Sequence, residues 1–164
     1  MQVSQAFNGL LSNGDQTYIN LGSNFVDSLT LPNFQGPNAA YMHAMSSPTL
    51  SKAEALKKYC KFIEDNMNDY FARSGDRRTR PGALFSLGKA MHAVMDSTSP
   101  AHRGFQLWTG LRDPRAHLHG PSVGGIRPST IEDMSNVGPY LDETIGKMLN
   151  VLSGGRPPEC DCVK

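Results

Sequence analysis

The sequence predicts an all-α fold, a compact helical domain with long loops. Apolar residues recur at helical spacing in three separate stretches between Ser51 and Leu152. Strand-like alternation is confined to one short segment, Thr17–Leu21. The 16 glycines and 11 prolines, about 16% of the 164 residues against a usual ~12%, gather between the helical stretches and mark loops. A chain of this size buries roughly 70% of its unfolded surface, enough for one core without cross-links.

Residues 1–40 are rich in Asn, Gly, Ser and Gln and read as a partly ordered lead-in, with a short helix near Asn24–Leu29. The first strong helix begins at Ser51, where Ser51-Lys-Ala-Glu54 forms a capping box: the serine accepts from the amide of residue 54 and Glu54 reaches back. Leu56, Tyr59, Ile63, Met67, Tyr70 and Phe71 make one apolar stripe, and Ser74-Gly75 ends it. A basic turn, Asp76 to Gly82, leads into a second helix over Pro81–Asp96, with Leu84, Leu87, Met91, Val94 and Met95 inside and Pro100 stopping it. Residues 99–128 read as loop. A last helix covers Thr130–Leu152, interrupted or restarted at Pro139, with Leu141, Ile145, Met148 and Leu152 inward. The organisation is thus a lead-in over 1–40, a helical domain over 41–152 and a flexible tail over 153–164.

The net charge of +1 excludes a protein that grips nucleic acid by bulk charge. No apolar run reaches the 18 residues of a membrane span. The first residues lack the basic and apolar regions of a signal peptide. Cys60 reads as a buried thiol. Cys160 and Cys162 are too close to bridge each other easily and too few to bind a metal alone. An odd count suits a reducing compartment or a chain that does not depend on bridges.

Of five histidines, His92, His102, His117 and His119 crowd into 28 residues, and His43 stands apart. His92 and Asp96 are four apart on a helix and share a face beside the apolar stripe. An unpaired carboxylate is costly there, and a divalent cation between it and the imidazole removes the cost. The Ser-Pro turn swings His102 back to the same point, completing a zinc-type donor set. His117 and His119 supply further imidazoles. His43 is either a packed histidine or one more donor. Arg103 is either a surface arginine or a bidentate contact for a phosphate oxygen. Trp108 either fills the core under a loop or meets a substrate.

The pattern His92-x3-Asp96-x5-His102 on a helix with a proline exit resembles the zinc-dependent phospholipase C superfamily, which includes the single-strand-specific zinc nucleases. The wider context, from Met91 through Asp96-Ser-Thr-Ser-Pro-Ala-His102-Arg-Gly-Phe-Gln-Leu-Trp108, and Tyr41-Met-His43-Ala-Met45 upstream, is similar to C-terminal toxin modules of Rhs-type polymorphic toxins. The resemblance covers roughly residues 38–150. It implies an all-α fold with zinc ions at the bottom of a cleft, Asp96 bridging metals, and His43, His92, His102, His117 and His119 as ligands. His92, Asp96 and Arg103 would then act on a phosphodiester, in a phospholipid or a nucleic acid. The family's later acidic ligand would fall at Pro121, which cannot bind metal, with His119 or Glu132 as substitutes. One or two zinc ions are therefore expected rather than three. Asp65 or Asp69 would supply the remaining carboxylate, unless both are solvated helix-face acids. The toxin context further implies a cognate immunity protein, an Rhs-type delivery protein, and an effector domain secreted into a target cell. A helical module with a structural metal, or none, is the non-enzymatic alternative.

Overall fold

A computed structural model describes residues 11–28, 35–99, 101–108 and 138–163. The fold is all-α: among the described residues are α1 (Asn13–Val26), α2 (Lys52–Arg73), α3 (Arg80–Thr98) and α4 (Gly138–Leu152), with short 3-10 helices at Pro37–His43 and Pro158–Cys160. No helix among them is long and apolar enough to cross a membrane.

α3 is the central element. Most of its residues from Ala83 to Thr98 are buried, because α1, α2 and α4 all pack on it. It runs slightly beyond the expected Pro81–Asp96 and ends where Ser99 turns extended before Pro100. α2 starts at the capping box as expected, with both reciprocal bonds formed at Ser51 and Glu54. Its stripe buries Tyr59, Ile63 and Met67 while leaving Phe71 exposed. The buried face of α4 is Tyr140, Thr144, Met148 and Val151; Met148 is inward as expected, whereas Leu141, Ile145 and Leu152 are half-buried beside that face. The expected start of that helix at Thr130 lies outside the described residues.

α1 corrects the reading of residues 1–40. Its span takes in Thr17–Leu21, the segment with strand-like alternation, and it stops at Val26 rather than running over Asn24–Leu29. Ser12 caps it by accepting from the Asp15 amide. Its buried side is Ile19, Gly22, Ser23 and Val26, of which only two are strongly apolar. Close approach replaces side-chain volume. A Cβ on Gly22 would stand 2.0 Å from the Phe85 carbonyl oxygen, and one on Gly88 would stand 2.0 Å from that of Ile19. Two glycines, one per helix, therefore let the backbones touch. A two-pronged bond from Arg80 Nε and Nη2 to Asp15, at 3.0 Å each, fixes the starts of the two helices together.

The cysteines are a second correction. Cys60, expected as a free buried thiol, is joined to Cys160, and only Cys162 is free and exposed. The bond closes a loop between positions 100 residues apart. In the chain-entropy picture such a loop is worth about 4.7 kcal/mol against the unfolded state. The odd count is thus one bridge plus one surface thiol. Ile19 and Cys160 belong to the same core as Leu84, Met91 and Met148, so the boundaries expected at 40 and 152 do not separate the core.

Gly88→Ala should lower stability by about 1–3 kcal/mol as the two helices are pushed apart. Gly146→Ala is the control: it lies exposed within α4 with open space around it, and should raise stability by about 0.5–1 kcal/mol. Thermal unfolding of both variants measures the difference.

Candidate metal centre

The end of α3 carries His92 and Asp96 on one face, as the four-residue spacing requires. Two loops deliver the other donors. Residues 46 and 107 form an isolated parallel bridge: the Ser46 amide donates to the Gln106 carbonyl at 2.9 Å, and the Trp108 amide to the Ser46 carbonyl at 2.8 Å. This pairing sets His43, at the end of its 3-10 helix, beside His102, just past α3. The His102 Nδ1–H then donates to the His43 carbonyl at 2.6 Å.

All three imidazoles meet at one carboxylate. Asp96 Oδ2 lies 3.0 Å from His43 Nδ1, 3.1 Å from His92 Nε2 and 3.6 Å from His102 Nδ1. His92 Nε2 and His43 Nδ1 are themselves 3.2 Å apart. Asp96 is 4% exposed. Burial by itself would raise its carboxyl, but the charge of His92 and His102 and hydrogen bonds from His43 and His92 outweigh it and hold the group well below the usual carboxylate range.

Asp27, at the C-cap of α1, is the donor missing from the sequence reading. Its Oδ1 lies 3.5 Å from His92 Nε2 and 3.8 Å from His43 Nδ1, and its side chain is 60% exposed. Asp27, His43 and His92 each offer one ligand atom, all within 4.8 Å of one another, and the three could hold a metal ion. Oxygen and imidazole donors of this kind suit a divalent transition metal. The supporting shell fits as well. The Ser23 hydroxyl, one turn before Asp27, lies 3.3 Å from His92 Nδ1, so that nitrogen can carry the proton and leave Nε2 as the ligand atom. Gln35 holds the far side of His43, at 3.3 Å from Nε2. A Gln35 amide turned oxygen-first would accept the Nε2 proton and release Nδ1 to a cation. With Nδ1 spent on a carbonyl, any ligand role of His102 falls to Nε2.

Other expected site residues lie elsewhere. His117, His119, Pro121 and Glu132 are outside the described residues. Asp65 pairs with Lys61 on the surface, and Asp69 pairs with Arg73 and Ser86, so neither carboxylate joins the cluster. Arg103 is turned away into an ion pair with Glu143. Trp108 is buried against Ala40 and Met45, with its indole N–H donating to the Gln35 carbonyl at 3.2 Å; it fills the core. A cavity of about 250 Å³ beside the cluster is lined by Ala44, Ser97, His102, Arg103, Lys147 and Glu159, among others.

Compared with known proteins, the chain matches no protein family, no curated protein and no solved structure.

A carboxyl held low in the folded state contributes stability above its unfolded value and loses it as pH falls toward the folded one. Asp96→Asn should therefore cost about 3 kcal/mol at pH 7 by removing the charge that the buried ring nitrogens face. The gap to wild type should narrow once the pH drops below the ordinary carboxyl value of 3.8. Denaturant unfolding at both pH values reads this out.

Proposed function

We propose that this chain is a zinc-dependent phosphodiesterase domain, phospholipase C-like, acting as an antibacterial toxin effector. The observation that carries the reading is the convergence of Asp27, His43 and His92 within 4.8 Å, over a buried Asp96 that also meets His102. Asp27, His43 and His92 would hold the ion, with Asp96 and His102 completing or bracing the set. When bound, zinc supplies a Lewis acid for a phosphoryl oxygen and brings the pKa of a coordinated water toward ~7.

The chain's own groups divide the remaining work. Asp96, with its Oδ2 3.0–3.6 Å from ring nitrogens of His43, His92 and His102, orients the three imidazoles. Ser23 fixes the His92 ring. Asp27 is the most exposed of the donors and opens the site to solvent on the α1 side. Arg103 meets a phosphate only after exchanging Glu143 for it, since both groups lie on the cavity wall.

Phospholipid is favoured over nucleic acid by the Cys60–Cys160 bridge, which suits an exported protein working outside the reducing cytosol, where the lipid surface rather than the chromosome is met. The net charge of +1 points the same way. In this reading the domain is carried by an Rhs-type delivery protein and held in check by an immunity protein covering the cleft.

Protein purified without chelator should carry one or two zinc ions per chain by elemental analysis. His92→Ala should lose the metal and lower hydrolysis of phospholipid vesicles about 100-fold, while Ser23→Ala should weaken metal affinity about 10- to 100-fold. Single-stranded DNA assayed in parallel should remain intact. A chain that is metal-free and equally stable in chelator would instead be the non-enzymatic module, and cleaved DNA with intact vesicles would make it a nuclease.

A further inference from the structure

Neighbouring residues on two segments form a double fastening. In α2, Tyr59 and Cys60 are adjacent; near the C-terminus, Glu159 and Cys160 are adjacent. Cys60 is bonded to Cys160, and the Tyr59 hydroxyl donates to Glu159 Oε1 at 2.9 Å. Burial and the Glu159 charge push the Tyr59 hydroxyl well above its ordinary value, so it stays a neutral donor. From Glu159 a chain of contacts reaches the candidate site. Lys147 Nζ lies 3.1 Å from Glu159 Oε2 and 3.4 Å from Glu143 Oε1, and Glu143 pairs with Arg103, which follows His102. These side chains form one wall of the 250 Å³ cavity beside the histidines. The wall is therefore held in place by the C-terminal turn, and the turn by the disulfide.

Both cysteines are buried, Cys160 fully and Cys60 at 3% exposure, and Cys60 alone of the two lines an open groove of about 220 Å³, together with Glu64, Met67, Phe71, Val151 and Arg156. A thiolate entering that groove approaches the bond from the Cys60 side, and the thiolate that departs belongs to the short C-terminal turn.

We propose that the Cys60–Cys160 bond is a reversible redox clasp that assembles the cavity wall in an oxidising compartment and releases it on reduction by a dithiol. One thiolate of the dithiol attacks Cys60 Sγ, the Sγ–Sγ bond breaks, and Cys160 leaves as a thiolate that takes up a proton. The second thiol of the reductant then attacks the mixed disulfide, freeing Cys60 as a thiol. In total two electrons and two protons pass to the chain, and the dithiol ends as a disulfide. Glu159 then has only its two polar partners to hold it. A domain built this way is unassembled in the cytosol that makes it and completes its cleft after export. The effect on hydrolysis rests on the phosphodiesterase reading; the clasp itself does not.

The test uses the full chain with dithiothreitol under native conditions. Before reduction, thiol alkylation should label Cys162 alone; after it, Cys60 and Cys160 as well. Hydrogen exchange over residues 153–163 should then speed up about tenfold or more, while α1, α2 and α3 stay protected. Vesicle hydrolysis should fall and return on reoxidation. Cys162→Ser should behave as wild type throughout. Glu159→Gln should weaken the wall with the bond intact, lowering hydrolysis in the oxidised form. Three labelled cysteines without reductant, a bond that opens only with global unfolding, or unchanged exchange at 153–163 after reduction would each overturn the clasp. Exchange that responds as described in a chain inactive on vesicles in both redox states would leave the clasp standing and defeat the phosphodiesterase reading.

Discussion

A carboxylate buried at the end of the central helix is the constraint around which the molecule is arranged. Asp96 is cut off from water, and an isolated ionised carboxylate in that position is prohibitive. Its charge is retained because imidazoles from three separate segments are turned onto it: His92 from the same helix, His43 from a 3-10 helix, and His102 from the loop beyond α3. None of the three is held by Asp96 alone. Ser23 meets His92, Gln35 meets His43, and the His43 carbonyl takes the His102 proton. Each ring is thus oriented from behind, which is how rings intended for a cation are commonly supported.

The helix crossing of α1 and α3 serves the same centre. With the backbones in contact at Gly22 and Gly88, Ser23 comes within reach of His92, and the helix delivers Asp27 to the two histidines at its C-cap. A larger residue at either glycine would lift α1 from α3 and withdraw Ser23 and Asp27 together. Packing and site are therefore coupled through two residues that have no chemistry of their own.

What was legible in the sequence was whatever depends on local spacing. The Ser51–Glu54 box and the His92–Asp96 pair lie within about one helical turn and stand as expected, and the α2 stripe repeats every three or four residues and holds through Tyr59, Ile63 and Met67, though not at Phe71. Asp27 carried no such signal, since it joins His43 and His92 only through a tertiary crossing. α1 was hidden because glycine and serine occupy its buried face, so hydrophobic periodicity barely registers there. On α4, Met148 is inward as expected, but the face turns toward Tyr140 and Thr144 because the Thr144 hydroxyl is buried with the Tyr140 carbonyl as its acceptor at 2.9 Å, a position that hydrophobic spacing does not mark. The disulfide was illegible for a different reason: proximity across 100 residues leaves no trace in spacing.

Backbone strain gathers where the loops must deliver their histidines. Ala44, immediately after His43, has φ 51°, and Phe105, three residues after His102, has φ 54°; both are left-handed conformations that disfavour a side chain. Each costs of order 1 kcal/mol or more. Both flank the bridge between residues 46 and 107, where the Ser46 hydroxyl donates to the Phe105 carbonyl at 2.8 Å and backbone bonds run to Gln106 and from Trp108. Phe105 is further held edge-on to Tyr59, with ring centroids 5.3 Å apart. The two loops are thus forced into sharp turns by the requirement that His43 and His102 face one carboxylate, and the turns are sustained by hydrogen bonds and aromatic packing that do not touch the donors. Tyr59 is the shared support: one end of its side chain braces the loop that carries His102, and the other holds Glu159 on the cavity wall. A single buried tyrosine beside the disulfide therefore ties the strained loop and the C-terminal turn to α2.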